Sequence, residues 1–502
     1  MSISQKNNHH FNTEHLKENL KERSVKGGAI TMVAQFSKLC LQIGSNVFLA
    51  RLLTPEDFGL VAMVSVVATF IFMFKDMGLS QATVQKAEIN HVQISTLFWI
   101  NVAFGLLMML TTWALAPAIA SFYHEPALES ITFVLAIGLF IGGLTVQHQA
   151  LLRRQMRFKE LSIVEVGSMF SGVTAGIVTA WMGFGYWALV ILQIIQASVM
   201  LVGVWYFSKW RPGLPVRNSG IGSMLAFGGY MTAYGFINYF ARNLDTILIG
   251  WRWGATSTGL YSRAYSLLLL PIGQLTAPFS GVAVPALSRL QNEPEQFKNY
   301  YLKTIKIIAY VSMPMIISMA ILAHEIVLIV LGDQWEGAAT LFQILAIAAF
   351  WQPIASTVGW IYVSLGNVKR MMYWGFIGTS VMATAIAIGL PWGASGVAIA
   401  YSISMWILIY PLFLFAFYNT NLDVKSLLVT LKYPIVVGIV SGIGFYFTHQ
   451  LLMQYNIVIS FFGTLLGGLL SLGLVIVLWK SLRKDMFSIF SSIKNILKKK
   501  KV

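Results

Sequence analysis

The chain of 502 residues is 57% hydrophobic and only 11% charged, with a mean hydropathy of +0.70 and a formal net charge of +16. Soluble domains are about one-quarter charged, so a water-soluble enzyme is excluded. The lysines and arginines lie between long apolar runs instead of clustering on a polar surface, so the charge does not mark a nucleic-acid partner.

The first 26 residues are polar (His9, His10, Glu14, Lys17, Glu18) and read as a cytoplasmic arm, not a cleavable signal sequence. Fourteen apolar runs follow, each long enough to cross about 30 Å of hydrocarbon as a helix. They lie near 27–50, 57–78, 95–121, 130–152, 162–182, 186–208, 224–250, 256–286, 304–331, 337–365, 371–390, 394–418, 427–452 and 457–479. The runs at 256–286 and 337–365 carry Pro271, Pro278, Pro285 and Pro353, which predicts kinks. Cys40, the single cysteine, lies inside the first run and excludes an intrachain disulfide framework. The expected fold is all-α and polytopic, with both termini cytoplasmic. Thirty of the 35 Lys and Arg residues then fall on the inner side and only Arg51 and Arg252 on the outer, with Lys38, Arg242 and Arg263 inside spans.

Residues 209–220 (KWRPGLPVRNSG) are the most linker-like stretch. The expected organisation is an arm (1–26), a six-helix lobe (27–208), this linker, and a second six-helix lobe (221–418). Accessory helices 13 and 14 (419–481) and a basic cytoplasmic tail (482–502) complete it. An offset of 200 relates Gly59-Leu60 to Gly259-Leu260, and Gly185-Tyr186-Trp187-Ala188 resembles Gly396-Val397-Ala398-Ile399. Six spans per half give the halves the same orientation, as in parallel-repeat transporters.

Polar residues recur inside the first and seventh runs. Gln35, Lys38, Gln42 and Asn46 fall within an arc of about 80° on a helix. Asn238, Arg242 and Asp245 form a second stripe, and the offset of 200 places Lys38 opposite Asn238 in the alignment and Gln42 opposite Arg242. A basic residue at a helix centre costs about 2.5–3.5 kcal/mol to insert, so it is retained for a partner or a water-filled cavity. The ordinary alternative for Arg242 is a structural pair with Asp245, whereas Lys38 has no acid in its own span. Other charges are weaker candidates. Lys75-Asp76 ends span 2, where snorkelling accounts for it. His324-Glu325 reads as interfacial, and Gln147-His148-Gln149 sits beside Arg153, Arg154 and Arg157 at an inner membrane face. There is no phosphate-binding loop, metal-binding helix or cysteine cluster, and no nucleophile–base pairing stands out, so neither a cofactor nor covalent chemistry is expected.

Several stretches carry a resemblance. They are Arg51-Leu-Leu-Thr-Pro-Glu-Asp-Phe-Gly-Leu60, Gly78-Leu-Ser-Gln-Ala82, Gln147-His-Gln-Ala-Leu-Leu-Arg-Arg154, Tyr239-Phe-Ala-Arg-Asn-Leu-Asp245, Gly259-Leu-Tyr-Ser-Arg-Ala-Tyr265 and Pro285-Ala-Leu-Ser-Arg-Leu290. Together they resemble the Wzx-type polysaccharide flippases, near the colanic-acid branch, of the multidrug/oligosaccharidyl-lipid/polysaccharide exporter superfamily. The resemblance covers roughly residues 27–418. It implies two six-helix lobes around a central cavity, two extra C-terminal helices and location in a bacterial inner membrane. It further implies flipping of an undecaprenyl-diphosphate-linked oligosaccharide to the periplasmic leaflet, with a polysaccharide polymerase and chain-length regulator as candidate partners.

On that reading Lys38, Arg242 and Arg263 attract the diphosphate, while Gln35, Gln42 and Asn238 bond sugars; Asn46 and Asp245 complete the stripes. The main alternative is a drug or cation antiporter of the same superfamily, but three basic residues against one mid-span acid, Asp245, favour an anionic substrate. A lipid II flippase would use similar chemistry. A membrane polymerase or ligase would need long outer loops, and the outer connections here are short.

Overall fold

The computed structural model describes residues 20–76, 80, 83–84, 86, 89–216, 222–479 and 483; the side chains of 20–25, 68, 70–76, 222–238, 240–242 and 368 lie outside the description. Every element among the described residues is helical. In chain order they are α1 (Leu20–Leu52), α2 (Pro55–Asp76), α3 (His91–Tyr123), α4 (Ala127–Arg154), α5 (Phe158–Trp181), α6 (Trp187–Ser208), α7 (Gly222–Arg289) and α8 (Pro294–Ile321). There follow α9 (Ala323–Val330), α10 (Glu336–Ala349), α11 (Gln352–Ala355), α12 (Val358–Ser364), α13 (Val368–Gly389), α14 (Gly393–Phe417), α15 (Val424–Leu452) and α16 (Ile457–Leu478).

Short polar motifs set the helix starts. In Thr54-Pro-Glu-Asp57 the Asp57 carboxylate accepts from the Thr54 amide at 2.9 Å, and the Thr54 hydroxyl accepts from the Asp57 amide at 3.2 Å. This reciprocal cap starts α2 two residues after α1 ends. Asn90 and Gln93 form the same arrangement at α3.

Nine helices among the described residues are long and apolar enough to cross a membrane, or ten if the bent pair Asp333–Ala349 and Gln352–Ser364 counts as one span. That pair bends by 45°, where Pro353 predicted a kink. Within α7, helical dihedrals continue through Pro271, Pro278 and Pro285; the break is at Gly254 (φ 77°, ψ −174°), a conformation that costs glycine little. The apolar stretches Asn243–Arg289 (47 residues) and Lys369–Phe417 (49 residues) are each about 70 Å long at 1.5 Å per residue. Each thus has the length of two crossings, and each contains a glycine of positive φ, Gly254 or Gly393.

The chain divides into two compact units, Met1–Gly259 and Leu260–Val502. In the first, α3 packs along α4, α5 along α6, α1 on α5, α6 on α4 and α2 on α4. The α3–α4 seam is close because glycines lie in it: a side chain on Gly105 would meet the Leu139 carbonyl, and one on Gly143 the Asn101 carbonyl. Lipid tails are as apolar as leucine, so such small-residue contact and internal hydrogen bonds supply much of the association.

The stretch after α6 is strapped onto this unit. Trp210 is fully buried among the rings of His91, Phe98 and His148. The Gly213 amide donates to Ser95 Oγ at 2.9 Å, and Trp99 Nε1 donates to the Gly213 carbonyl at 2.8 Å.

In the second unit, α8 packs against α15 and α10, α13 against α14, and α15 against α16. Its main core includes Tyr301, Ile305, Ile308, Met313, Ile361 and Leu431. Polar braces cross it, among them Tyr301 OH with Thr357 Oγ1 at 3.1 Å and Tyr265 OH with Tyr401 OH at 3.0 Å.

Candidate functional site

Lys38 lies near the middle of α1, and packing of α1 on α5 brings it to an acid distant in sequence. Lys38 Nζ donates to Glu165 Oε2 at 2.6 Å, and Arg153 Nη2 at the end of α4 stands 4.0 Å from Glu165 Oε1. The Lys38 and Glu165 side chains are 24% and 22% exposed and Arg153 is 52% exposed. One carboxylate thus stands between two cations supplied by α1 and α4. Pairing offsets much of the insertion cost of Lys38.

Glu165 adds an acid inside the fifth apolar run to the mid-span Asp245. Glu165 is the eighth residue of α5, flanked by Val164 and Val166, and was legible as an acid inside an apolar run. Its partner was not legible, because periodicity locates helices without saying which faces meet.

The other residues of the first stripe divide by environment. Gln35 and Gln42 are exposed, and Asn46 is half-buried. Of the second stripe, the side chains of Asn238 and Arg242 lie outside the described residues. Asp245 is buried and accepts from the Thr246 amide at 2.7 Å and the Thr246 hydroxyl at 3.4 Å. Tyr239, next to Asn238, donates its hydroxyl to the Val66 carbonyl of α2. Arg263 is half-buried in α7.

Two further polar clusters noted in the sequence have partners in the fold that the sequence did not reveal. Gln147 and His148 are fully buried. Gln147 bridges Thr83 (3.0 Å) and Asn101 (2.9 Å), and His148 Nδ1 meets Ser208 Oγ at 2.9 Å. Neighbouring Arg154 donates to the carbonyls of Thr83 (3.0 Å) and Lys86 (2.5 Å), fixing the connection after α2, while Arg157 pairs with Glu160 at 3.0 Å. Arg154 and Arg157 are thereby engaged in structure.

In the second unit Glu325 is buried within the protein, whereas His324 beside it is exposed. Glu325 Oε1 stands 2.6 Å from His449 Nε2 and accepts from Ser460 Oγ at 3.0 Å, tying α9 to the C-terminal helices α15 and α16. These two polar residues give the accessory helices a specific attachment. No group of three or more His, Cys, Asp or Glu side chains suited to a metal occurs among the described residues.

The arrangement is two cations, from α1 and α4, around one carboxylate, with the exposed amides of Gln35 and Gln42 on α1. Residues 48–340 match the family described as polysaccharide biosynthesis protein. The chain is similar to the lipopolysaccharide biosynthesis protein WzxC of Escherichia coli (strain K12), 23% identical over 76% of this chain and 78% of that one. It is 26% identical to the teichuronic acid biosynthesis protein TuaB of Bacillus subtilis (strain 168), over 71% of this chain and 74% of that one. Its fold is similar to that of the lipid II flippase MurJ in an inward closed conformation. The TM-score is 0.72 at 15% identity, covering 90% of this chain and 99% of that one.

Proposed function

The chain belongs to the polysaccharide biosynthesis protein family, as a multi-pass membrane transporter of Wzx type, and on that premise we propose the cargo, direction and site by which it works. The cargo is an undecaprenyl-diphosphate-linked oligosaccharide repeat unit, carried from the cytoplasmic to the periplasmic leaflet of the inner membrane. Neither a diphosphate nor a sugar chain crosses hydrocarbon unaided, because burying an ionised group without partners is prohibitive. Alternating access of two six-helix lobes supplies replacement solvation by cations and amides, while the polyprenyl tail stays in lipid.

The observation that carries this reading is the Lys38–Glu165–Arg153 cluster, two cations around one carboxylate on an otherwise apolar chain. Lys38, Arg242 and Arg263 meet the diphosphate; Gln35, Gln42, Asn46 and Asn238 bond sugars, with Asp245 positioning its neighbours. The excess of basic residues on the inner side supports cytoplasmic termini, and the two double-length apolar stretches support fourteen crossings. A polymerase and a chain-length regulator are the expected downstream partners. A drug antiporter is disfavoured, because cationic drugs call for net acidic sites.

Complementation tests the function. In a strain lacking its own exopolysaccharide flippase, the wild-type chain restores polymer. Lys38→Ala and Arg242→Ala at matched membrane abundance accumulate lipid-linked repeat units on the cytoplasmic leaflet. Normal export by both variants would remove the site assignment, and failure of wild type with every repeat unit would remove the cargo.

A further inference from the structure

We propose that Glu165 is an internal counter-anion that occupies the Lys38–Arg153 site between transport events, and that the incoming diphosphate binds by displacing it. The identity of the displacing anion rests on the flippase reading; the site itself rests on geometry. Each Glu165 oxygen faces a different cation, Oε2 at 2.6 Å from Lys38 and Oε1 at 4.0 Å from Arg153. The second distance exceeds a hydrogen bond, so the Arg153 fork keeps donor capacity in a direction the carboxylate does not fill. A guanidinium fork matches phosphate oxygens in pairs, and an ammonium supplies a compact point charge beside it.

Neighbouring arginines are less suited to the task. Arg154 is buried and bonds backbone carbonyls, and Arg157 holds Glu160 and the Phe207 carbonyl. Arg153 is the one of the three that is more than half exposed. Its place at the end of α4, with Glu165 two turns into α5, puts the cluster toward the end of the helices that the charge distribution assigns to the cytoplasm. That is the side from which the cargo loads.

An internal carboxylate has two consequences. It keeps Lys38 from standing unpaired in the membrane when no cargo is present. It also makes binding an exchange of one anion for another of higher charge, so weak monoanions are rejected and release is eased when Glu165 returns. No covalent step is involved.

The test is binding of inorganic pyrophosphate to the purified full-length protein in nanodiscs by titration calorimetry, at fixed pH and salt. Removing the competing carboxylate by Glu165→Gln is expected to tighten pyrophosphate binding by about tenfold or more, and Lys38→Ala to weaken it by a similar factor. Glu165→Asp, which shortens the reach but keeps the charge, is expected to lie between Gln and wild type and stands in if Gln does not fold. A purely structural ion pair predicts instead that Glu165→Gln lowers the melting temperature with no gain in affinity, which overturns the proposal. If wild type restores polymer but Glu165→Gln binds pyrophosphate no tighter, displacement fails and the flippase reading survives. If Glu165→Gln binds tighter while wild type exports no polymer, the anion site stands and the flippase reading falls.

Discussion

Gly59 in α2 and Gly259 in α7 meet backbone to backbone: a side chain on Gly59 would strike the Ala255 carbonyl, and one on Gly259 would strike the Pro55 carbonyl and come within 3.1 Å of the Gly59 amide nitrogen. These are the two residues that the offset of 200 makes equivalent. The obstructing atoms are main chain that no rotamer change can move. Gly59→Ala and Gly259→Ala are each expected to cost about 1–3 kcal/mol, the range for overpacking a tight contact. Gly138→Ala, with nothing within 4 Å of the added carbon, is expected to be neutral. Thermal unfolding of the detergent-solubilised protein, followed by tryptophan fluorescence, checks both.

The strap after α6 depends on one anchor. Trp210 is fully buried, and Trp→Ala at such a site costs about 3–5 kcal/mol. Trp210→Ala is expected to lower the melting temperature and to open the peptide bonds near Arg211–Gly213 to protease, while Trp392→Ala, largely exposed, does neither. Limited proteolysis with mass spectrometry of the fragments reads this directly.

The pair of buried Glu325 and half-buried His449 attaches the C-terminal helices. Removing one member of a buried pair strands the other, at about 3–5 kcal/mol, whereas replacing both with apolar residues recovers much of the loss. His449→Ala is therefore expected to destabilise strongly, and Glu325→Leu/His449→Leu much less than the sum of the single changes. A double-mutant cycle of unfolding temperatures checks the sign.

Two carboxylates outside the spans predict opposite pH trends. Lys298 Nζ donates to Asp423 at 2.7 Å, and the Ser426 hydroxyl and amide donate to it at 2.7 and 2.6 Å; these bonds, Lys298 first, hold its carboxyl well below the usual range. A depressed folded value gives stability that is present above the unfolded value of about 3.9 and is lost as pH falls through the folded value. The stability gap between wild type and Asp423→Ala is thus expected to be constant above about pH 5 and to shrink in stronger acid. Glu125 is raised, by partial burial and then by Glu56, so its favourable contribution is present in acid and lost as pH rises through the folded value. Glu125→Gln is expected to stabilise at neutral pH, with the advantage vanishing below about pH 4. Melting temperatures measured across pH distinguish the two; parallel trends would contradict both assignments.

How much was legible depended on the length scale of the signal. Apolar runs such as 95–121 and 130–152 lie inside α3 and α4, because a hydrophobic stretch of membrane length has few other stable forms. The caps at Thr54 and Asn90 are local and sit in the sequence as they do in the fold. The break in α7 at Gly254 falls in the gap between the runs 224–250 and 256–286, while the prolines beyond it keep helical dihedrals. Long-range partners were invisible: 127 residues separate Lys38 from Glu165, and 124 separate Glu325 from His449. Periodicity marked Gly59 and Gly259 as equivalent, but equivalence does not imply contact.

The central claim is that this chain moves a lipid-linked oligosaccharide between leaflets by way of a cationic site. The most direct test reconstitutes the purified protein in liposomes with an undecaprenyl-diphosphate-linked oligosaccharide and measures how much of it a membrane-impermeant glycosidase can reach over time. The account predicts that wild-type protein exposes the inner-leaflet pool, that Lys38→Ala slows exposure about tenfold or more, a loss of roughly 1.4 kcal/mol or more, and that protein-free vesicles expose none. Exposure no faster than in protein-free vesicles, from correctly folded wild-type protein, would contradict it.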